Sequence, residues 1–515
     1  MGKILPSISL YNWAIVMLMA LGTTSVSYAL SSISGALGQA SFYVSMDLVG
    51  DATAPGYAQT SNYIAACTGC LLAGGFAGVL FNAWAADILG RRLACQVGAV
   101  VLTLGGALQG GATNRSMLLG GRFVAGLGMG ALWTTIPMYQ AEISTPQSRG
   151  FMVSMTGVMF ALGYMLSGWI NFATYYAGQK DPSSTFPWRF PLAFQAAPAL
   201  VMLLFSPLLP ESPRWLLQKD RHGEALAITR RLHHSKTDIN DSFARREYIQ
   251  MSKQMLHDTR VQQQIGSFYI FRTASNRKRC YLAFGLLWGC QWMGLTVVGT
   301  YGVLVYSSLG MTGSLPLLLQ ALWVTISLPG NSFTALYVDR VGRRTLLLIG
   351  AIAILVCLCF NTALQAEYLG TSNRAGQRAS IFFIFLMIVF WAGCVDATQF
   401  VYLSEIWPSH LRAQGQTLGM AGWMLSGIIL LVAAPIAMDH IGWKFTLINI
   451  CCTFVFVFCL YFFYPETRGK SIEDINALFG DEVVLHLEDA TDEEGDMSKE
   501  GIVQELEMEE GSKQA

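Results

Sequence analysis

Charge is scarce in this 515-residue chain: Asp, Glu, Lys and Arg make up 13% of it, against 53% hydrophobic residues and a mean hydropathy of +0.43. A composition this apolar excludes an ordinary soluble globular protein and puts the chain in a lipid bilayer. An excess of either sign is missing as well. Lys plus Arg and Asp plus Glu stand at 33 each, so nothing points to nucleic acid or a polyanion as a partner. Spaced cysteine clusters are lacking too. The eleven cysteines, Cys67, Cys70, Cys394, Cys451 and Cys452 among them, lie almost entirely inside apolar runs, which argues against a disulfide framework or a zinc site and for packed thiols. No nucleophile, metal cluster or phosphate loop stands out, so neither enzymatic activity nor a cofactor or metal is expected. The start, 1–11, has no cleavable signal pattern, and Pro6 stands where a myristoylation site needs Ser or Thr; the first apolar run is expected to act as an uncleaved signal.

What the chain has is long apolar runs. A helix needs about twenty apolar residues to cross a bilayer, and windows of that kind fall near 13–35, 60–84, 95–112, 117–138, 151–173 and 190–209, then near 281–308, 315–338, 345–366, 380–403, 414–437 and 444–464. Between the two sets lies a polar stretch from Pro210 to about Lys278, with Arg214, Lys219, Arg230, Arg231, Arg245, Arg246 and the Arg277-Lys278-Arg279 cluster. The expected fold class is an all-α membrane protein of twelve transmembrane helices in two six-helix bundles. The expected units are a first bundle at 1–209, a cytosolic helical linker at 210–279, a second bundle at 280–464 and a tail at 465–515. Twelve crossings put both termini on one side. Arg91, Arg92, Arg149, the linker, Arg340, Arg343, Arg344 and Arg412 all fall there and make it cytosolic, with Lys180, Arg189, Arg374 and Arg378 running against the trend. The tail beyond Ile472, acidic from Glu488 to Glu510, is expected to be disordered. The sequon Asn114-Arg115-Ser116 sits in a loop too short and too close to the membrane for glycosylation to be expected.

The two sets of six carry the same motifs in the same order. Asp87 to Arg92 closes the second span, and Asp339 to Arg344 closes the eighth, 252 residues later. Glu142 and Arg149 stand seven apart after the fourth span, as do Glu405 and Arg412 after the tenth. Pro210-Glu211-Ser212 follows the sixth span and Pro465-Glu466-Thr467 the twelfth. Three ordered correspondences argue for a duplicated six-helix unit. Carboxylates and guanidiniums at cytosolic helix ends suit a gate rather than a catalyst, because bidentate pairs can hold neighbouring helices together and release them.

These stretches, with Gly121-Arg122-Phe123 to Gly130, Pro137 to Glu142, Pro210 to Leu217, Ser404 to Pro408 and Pro465 to Gly469, resemble the sugar porter family of the major facilitator superfamily, in particular fungal members. The resemblance implies two pseudo-symmetric bundles, alternating access and a solute site near the midplane between them. It also implies a gating charge network of Asp87, Arg91, Arg122, Glu142, Arg149, Glu211, Asp339, Arg343, Glu405, Arg412 and Glu466. The departures from the family pattern bear on the solute. Ala29 stands where proton-coupled members carry an acid, Gly157 matches a sugar-binding Gln, Ser327 a family Asn, Phe400 a Trp, and Gly422 and Ser426 a pair of Asn. Of the seventh-span pattern one Gln, Gln291, and one Tyr, Tyr301, remain, with Thr296 where the family has Asn and Thr300 where it has the other Tyr. A polyhydroxylated sugar needs converging amides, since each unpaired hydroxyl costs about 1 to 3 kcal/mol.

The expected substrate site is therefore Gln291, Thr296, Thr300, Tyr301, Asp396, Phe400 and Trp423, suited to a small organic solute other than a hexose. A sugar or polyol carrier, as uniporter or proton symporter, and a transporter-like nutrient receptor are the alternatives. Asp396 is a carboxylate at membrane depth, costly enough to face the cavity. It is either a relocated proton-coupling site, a counter-charge for a cationic solute, or a group that only hydrogen-bonds Thr398 or a helix end. The solute, protons as the candidate coupling ion and the lipid bilayer are the expected partners of a monomer in the plasma membrane, with both termini cytosolic.

Overall fold

The computed structural model describes residues 10–51, 54–144, 149–181, 183–233, 269–371, 373–408 and 411–468, with scattered positions in 244–252 and 475–480. The acidic tail and much of the linker, and with them the expectation of disorder, lie outside the described residues. Among those residues every regular element is a helix. In a bilayer the backbone has no water to bond, so a long apolar run closes its hydrogen bonds within its own segment. The first half contains α1 (Leu10–Ala36), α2 (Tyr57–Leu89), α3 (Arg91–Gly110), α4 (Arg115–Ile143), α5 (Arg149–Lys180), α6 (Phe186–Phe194) and α7 (Ala196–Phe205). Two linker helices follow, α8 (Pro213–Gln218) and α9 (His222–His233). The second half contains α10 (Ala274–Gln291), α11 (Leu295–Ser308), α12 (Leu315–Thr325), α13 (Ser327–Val341), α14 (Arg343–Tyr368), α15 (Arg374–Phe390), α16 (Asp396–Glu405), α17 (Arg412–Ile441) and α18 (Phe445–Phe463).

Among the described residues nine stretches are long and apolar enough to cross a membrane, and one of these, Gln414–Phe463, holds both α17 and α18. With α4 and the pair α12 and α13, the described residues make twelve crossings. The two less apolar ones face protein rather than lipid on much of their surface: α4 buries Arg122, Thr135 and Gln140, and α13 buries Ser327, Asn331 and Thr334. Elsewhere the outer surface is apolar and exposed, as at Trp84, Leu204 and Phe462. Within the first half, α2 and α4 cross at backbone contact. A methyl group on Gly126 would lie 2.1 Å from Leu71 O, and one on Gly130 the same distance from Gly75 O, so only glycine lets the helices meet.

Across the halves α2 packs on α17, α5 on α12 and α13, and α1 on α11. Two crossings are interrupted where they pass the middle of the molecule. Gly294, at φ 83, separates α10 from α11, and a π turn, Trp391–Val395, separates α15 from α16. Helix α10 starts at Ala274, ahead of the expected 280. Thr273 caps it by accepting from Asn276 N at 3.2 Å, which draws Arg277, Lys278 and Arg279 into its first turns.

Candidate transport site and gate

The repeated motifs fold into two matching charge clusters. Gly90 and Gly342 adopt φ of 92 and 105, a region that side chains avoid, and at each the chain passes directly from one crossing to the next. In the first cluster Glu211 accepts from Arg91 N at 2.9 Å and Arg92 N at 3.2 Å. Arg91 donates through Nε to Glu142 and through Nη1 to Asp87, each at 3.1 Å. The Ser212 hydroxyl also donates to Glu142, and Tyr139 donates to Pro210 O at 2.7 Å. In the second, Glu466 accepts from Arg343 N at 2.9 Å, and Arg343 Nη2 donates to Glu405 at 2.7 Å. Thr467 donates to Glu405 at 2.7 Å, and Tyr402 to Pro465 O at 3.1 Å. The repeat read as motif spacing thus extends to individual hydrogen bonds.

These pairs tie helices within a half. Arg91 and Arg343 are nearly buried, their side chains 7% and 10% exposed, so removing the Glu142 or Glu405 carboxylate leaves a guanidinium less well compensated, at a cost of up to about 3 to 5 kcal/mol. Linker helix α8 joins the first cluster through Trp215 Nε1, which donates to Asp87 O at 2.9 Å. The side chains of Arg149 and Asp339 lie outside the described residues, and Arg412 opens α17, half-buried. Arg122 does not belong with the others. Twenty residues before Glu142 on the same helix, it stands about 30 Å away, fully buried, with Nη1 donating to Ala29 O at 3.1 Å. It therefore faces the first-span position where the family pattern carries an acid.

Midway between the halves lie two small chambers of about 70 and 60 Å³ that share Trp133, Phe160, Asp396 and Phe400. Of the expected residues, Gln291, Thr296, Asp396, Phe400 and Trp423 line them. Thr296 donates to Gln291 Oε1 at 2.7 Å, and Trp133 stands at ring-centroid distances of 4.5 Å from Trp423, 5.1 Å from Phe160 and 6.4 Å from Phe400. Asp396, set at the end of the π turn, accepts from Asn331 Nδ2 of α13 at 2.8 Å. Thr398 is not its partner; that hydroxyl is buried with no hydrogen bond among the described residues.

Thr300 and Tyr301 do not line the chambers in this arrangement. Tyr301 is fully buried beyond them; its hydroxyl donates to Leu431 O at 2.8 Å and lies 2.9 Å from Thr68 Oγ1, joining α11 to α17 and α2 across the two halves. Sequence reasoning missed Trp133, Phe160, Tyr164 and Asn331. The signal for Asn331 was present, one helical turn after Ser327 on the same face; the aromatic residues carried none that separates lining from packing. Chambers of this size fall well below the 300 to 1,000 Å³ of ordinary small-molecule sites, so the halves must separate to seat a solute.

Two matched six-helix halves, with a contracted polar and aromatic site between them, define a membrane transporter that works by alternating access. The chain belongs to the sugar (and other) transporter family, whose pattern it matches over residues 15–479. It is 32% identical over 414 residues to the MFS-type transporter criB of Aspergillus cristatus, covering 80% of this chain and 84% of that one. To the sugar transporter STL1 of Saccharomyces cerevisiae it is 28% identical over 424 residues, covering 80% and 72%. Its fold is that of the proton:xylose symporter XylE of E. coli bound to 6-bromo-6-deoxy-D-glucose, with a TM-score of 0.76 at 22% identity, over 91% of this chain and 99% of XylE. The family and these relatives are transporters rather than enzymes.

Proposed function

We propose that the protein carries a small, ring-bearing organic solute with few hydroxyls, neutral or cationic, and that Asp396 takes up and releases the coupling proton. The observation that carries this reading is the Asp396 carboxylate at the wall shared by both chambers, bordered by Trp133, Phe160 and Phe400. Aromatic faces stack on a ring and attract a cation, whereas each hydroxyl of a sugar seated there without a partner costs about 1 to 3 kcal/mol. That one relative of the same fold is a proton:xylose symporter supports proton coupling. A sugar or polyol substrate is the second reading, favoured by the Gln291 and Thr296 pair and by the sugar transporter among the relatives.

On this reading the protein is a monomer of the plasma membrane, with termini, linker and both charge clusters cytosolic. Arg149 and Arg412 then latch the two cluster bases together when the transporter faces outward. The test is a thermal-shift screen of the purified chain against aromatic amines, neutral aromatics, hexoses and polyols, followed by counterflow exchange in proteoliposomes. Stabilisation and exchange with ring-bearing compounds are expected. Exchange with hexoses or polyols alone replaces the solute assignment, and binding without exchange of any compound makes the chain a receptor.

A further inference from the structure

One cavity among the described residues lies away from the space between the halves. It is a groove of about 830 Å³ on the outer face of the second half, between α10 and α18. Its walls are apolar, with Trp288 and Trp292 on one side and Val455 and Phe463 on the other, and it is open to the surroundings: Tyr281 is 76% exposed, Val455 59% and Phe463 58%. Among the described residues its charged members are Arg277 and Lys278, both exposed and both in the first two turns of α10. The neighbouring Arg279 turns inward instead, buried, with Nη1 donating to Ser275 and Asn276.

The length of the groove matches one leaflet. From Arg277 to Trp292 the helix rises about 22 Å, close to half the thickness of a bilayer with its headgroups, about 40 to 45 Å in all. A greasy slot of that length with two cations at its interfacial end has the complement of a phospholipid whose headgroup is negative. A zwitterionic headgroup leaves the second cation without a counter-charge.

We propose that this groove holds one anionic phospholipid, with its acyl chains along α10 and α18 and its phosphate between Arg277 and Lys278. The lipid braces α10 directly before Gln291, where the helix breaks to form the chamber wall. The leaflet, cytosolic, rests on the orientation proposed above; the ligand chemistry does not.

The test reads binding, not transport, and so stands apart from the solute assignment. The purified full-length chain is equilibrated with phosphatidylglycerol or with phosphatidylcholine, and retained lipid is counted by native mass spectrometry. One phosphatidylglycerol per chain is expected. R277Q with K278Q is expected to weaken its retention roughly thirtyfold. Val455→Trp, which fills the groove from its exposed side without altering charge, is expected to lower retention as well. Both substitutions fall on exposed positions, and melting curves confirm that the variants fold. Cys451→Trp, on another exposed lining residue, serves if Val455→Trp does not fold. Equal retention of phosphatidylcholine, or parental retention in the charge variant, overturns the proposal. Loss in the charge variant but in neither groove-filling variant overturns it too, since the two cations then attract headgroups, or the acidic tail, without a lipid seat.

Discussion

Asp396→Asn separates a working carboxylate from a structural one, because the structure predicts that the substitution spares the fold. Asn331 Nδ2 donates to Asp396 at 2.8 Å. An amide oxygen in the same place still accepts that bond, and the loss is the difference between a charge-assisted and a neutral hydrogen bond, about 0.5 to 2 kcal/mol. Against it, a carboxylate at membrane depth costs about 2.5 to 3.5 kcal/mol, and the amide removes that charge. The variant is therefore expected to be more stable than the parent by about 0.5 to 3 kcal/mol. Melting curves of the two purified proteins check this first. Transport is then measured in proteoliposomes as accumulation against an imposed pH gradient and as counterflow exchange without one. Lost accumulation with retained exchange identifies the coupling residue; lost exchange with lost binding identifies a contact to the solute. Unchanged affinity and unchanged pH dependence refute the functional role, and a marked fall in melting temperature refutes the energetic argument itself.

Arg91→Ala and Arg343→Ala each strand a carboxylate that is now paired, and both are expected to slow transport at least tenfold while surface labelling shows normal insertion; normal rates in both remove the gate from the mechanism. Tyr301→Phe deletes a hydroxyl that bonds Leu431 O and contacts Thr68. At about 1 kcal/mol for each interaction, opening at that end is expected to become up to about thirtyfold more frequent. The check is the labelling rate of the buried Cys67, one residue from Thr68, with an impermeant thiol reagent; an unchanged rate places the seal elsewhere. Gly90→Ala sets a methyl group 2.7 Å from Glu211 Oε2 at a φ of +92, and Gly342→Ala sets one 2.7 Å from Glu466 Oε2 at +105. Each is expected to destabilise by at least about 1 to 2 kcal/mol, read as a lower melting temperature of similar size in both. A drop in one variant alone contradicts the equivalence of the two turns.

The crossings and the duplication were legible without a structure, because the bilayer acts on each segment separately. Twenty apolar residues must become a helix whatever their neighbours do, so windows such as 117–138 and 315–338 lie inside α4 and the α12–α13 pair. The charge motifs were legible for a related reason. Each sits at a helix end, where a turn glycine and a carboxylate seven residues from an arginine must recur if the halves share one design. The break at Gly294 left only a glycine in the sequence, and the π turn before Asp396 left no mark at all.

What the helices do to one another was not legible, because it depends on which face of each helix is turned inward. Trp133 of α4, Phe160 of α5 and Trp423 of α17 meet across 290 residues of sequence only because the halves pack with those faces together. Tyr301 has the sequence neighbours of a binding residue. Packing of α11 against α2 and α17 turns its hydroxyl to Thr68 and Leu431 instead of into a chamber. Arg122 has the look of a gate charge until the length of α4 carries it to the other end of the membrane, beside Ala29. Asp396 was conspicuous as an acid at membrane depth, but its donor, Asn331, lies 65 residues away on another crossing. Spacing along one chain determines what each helix carries; only the packing of helices decides which of those side chains share a chamber.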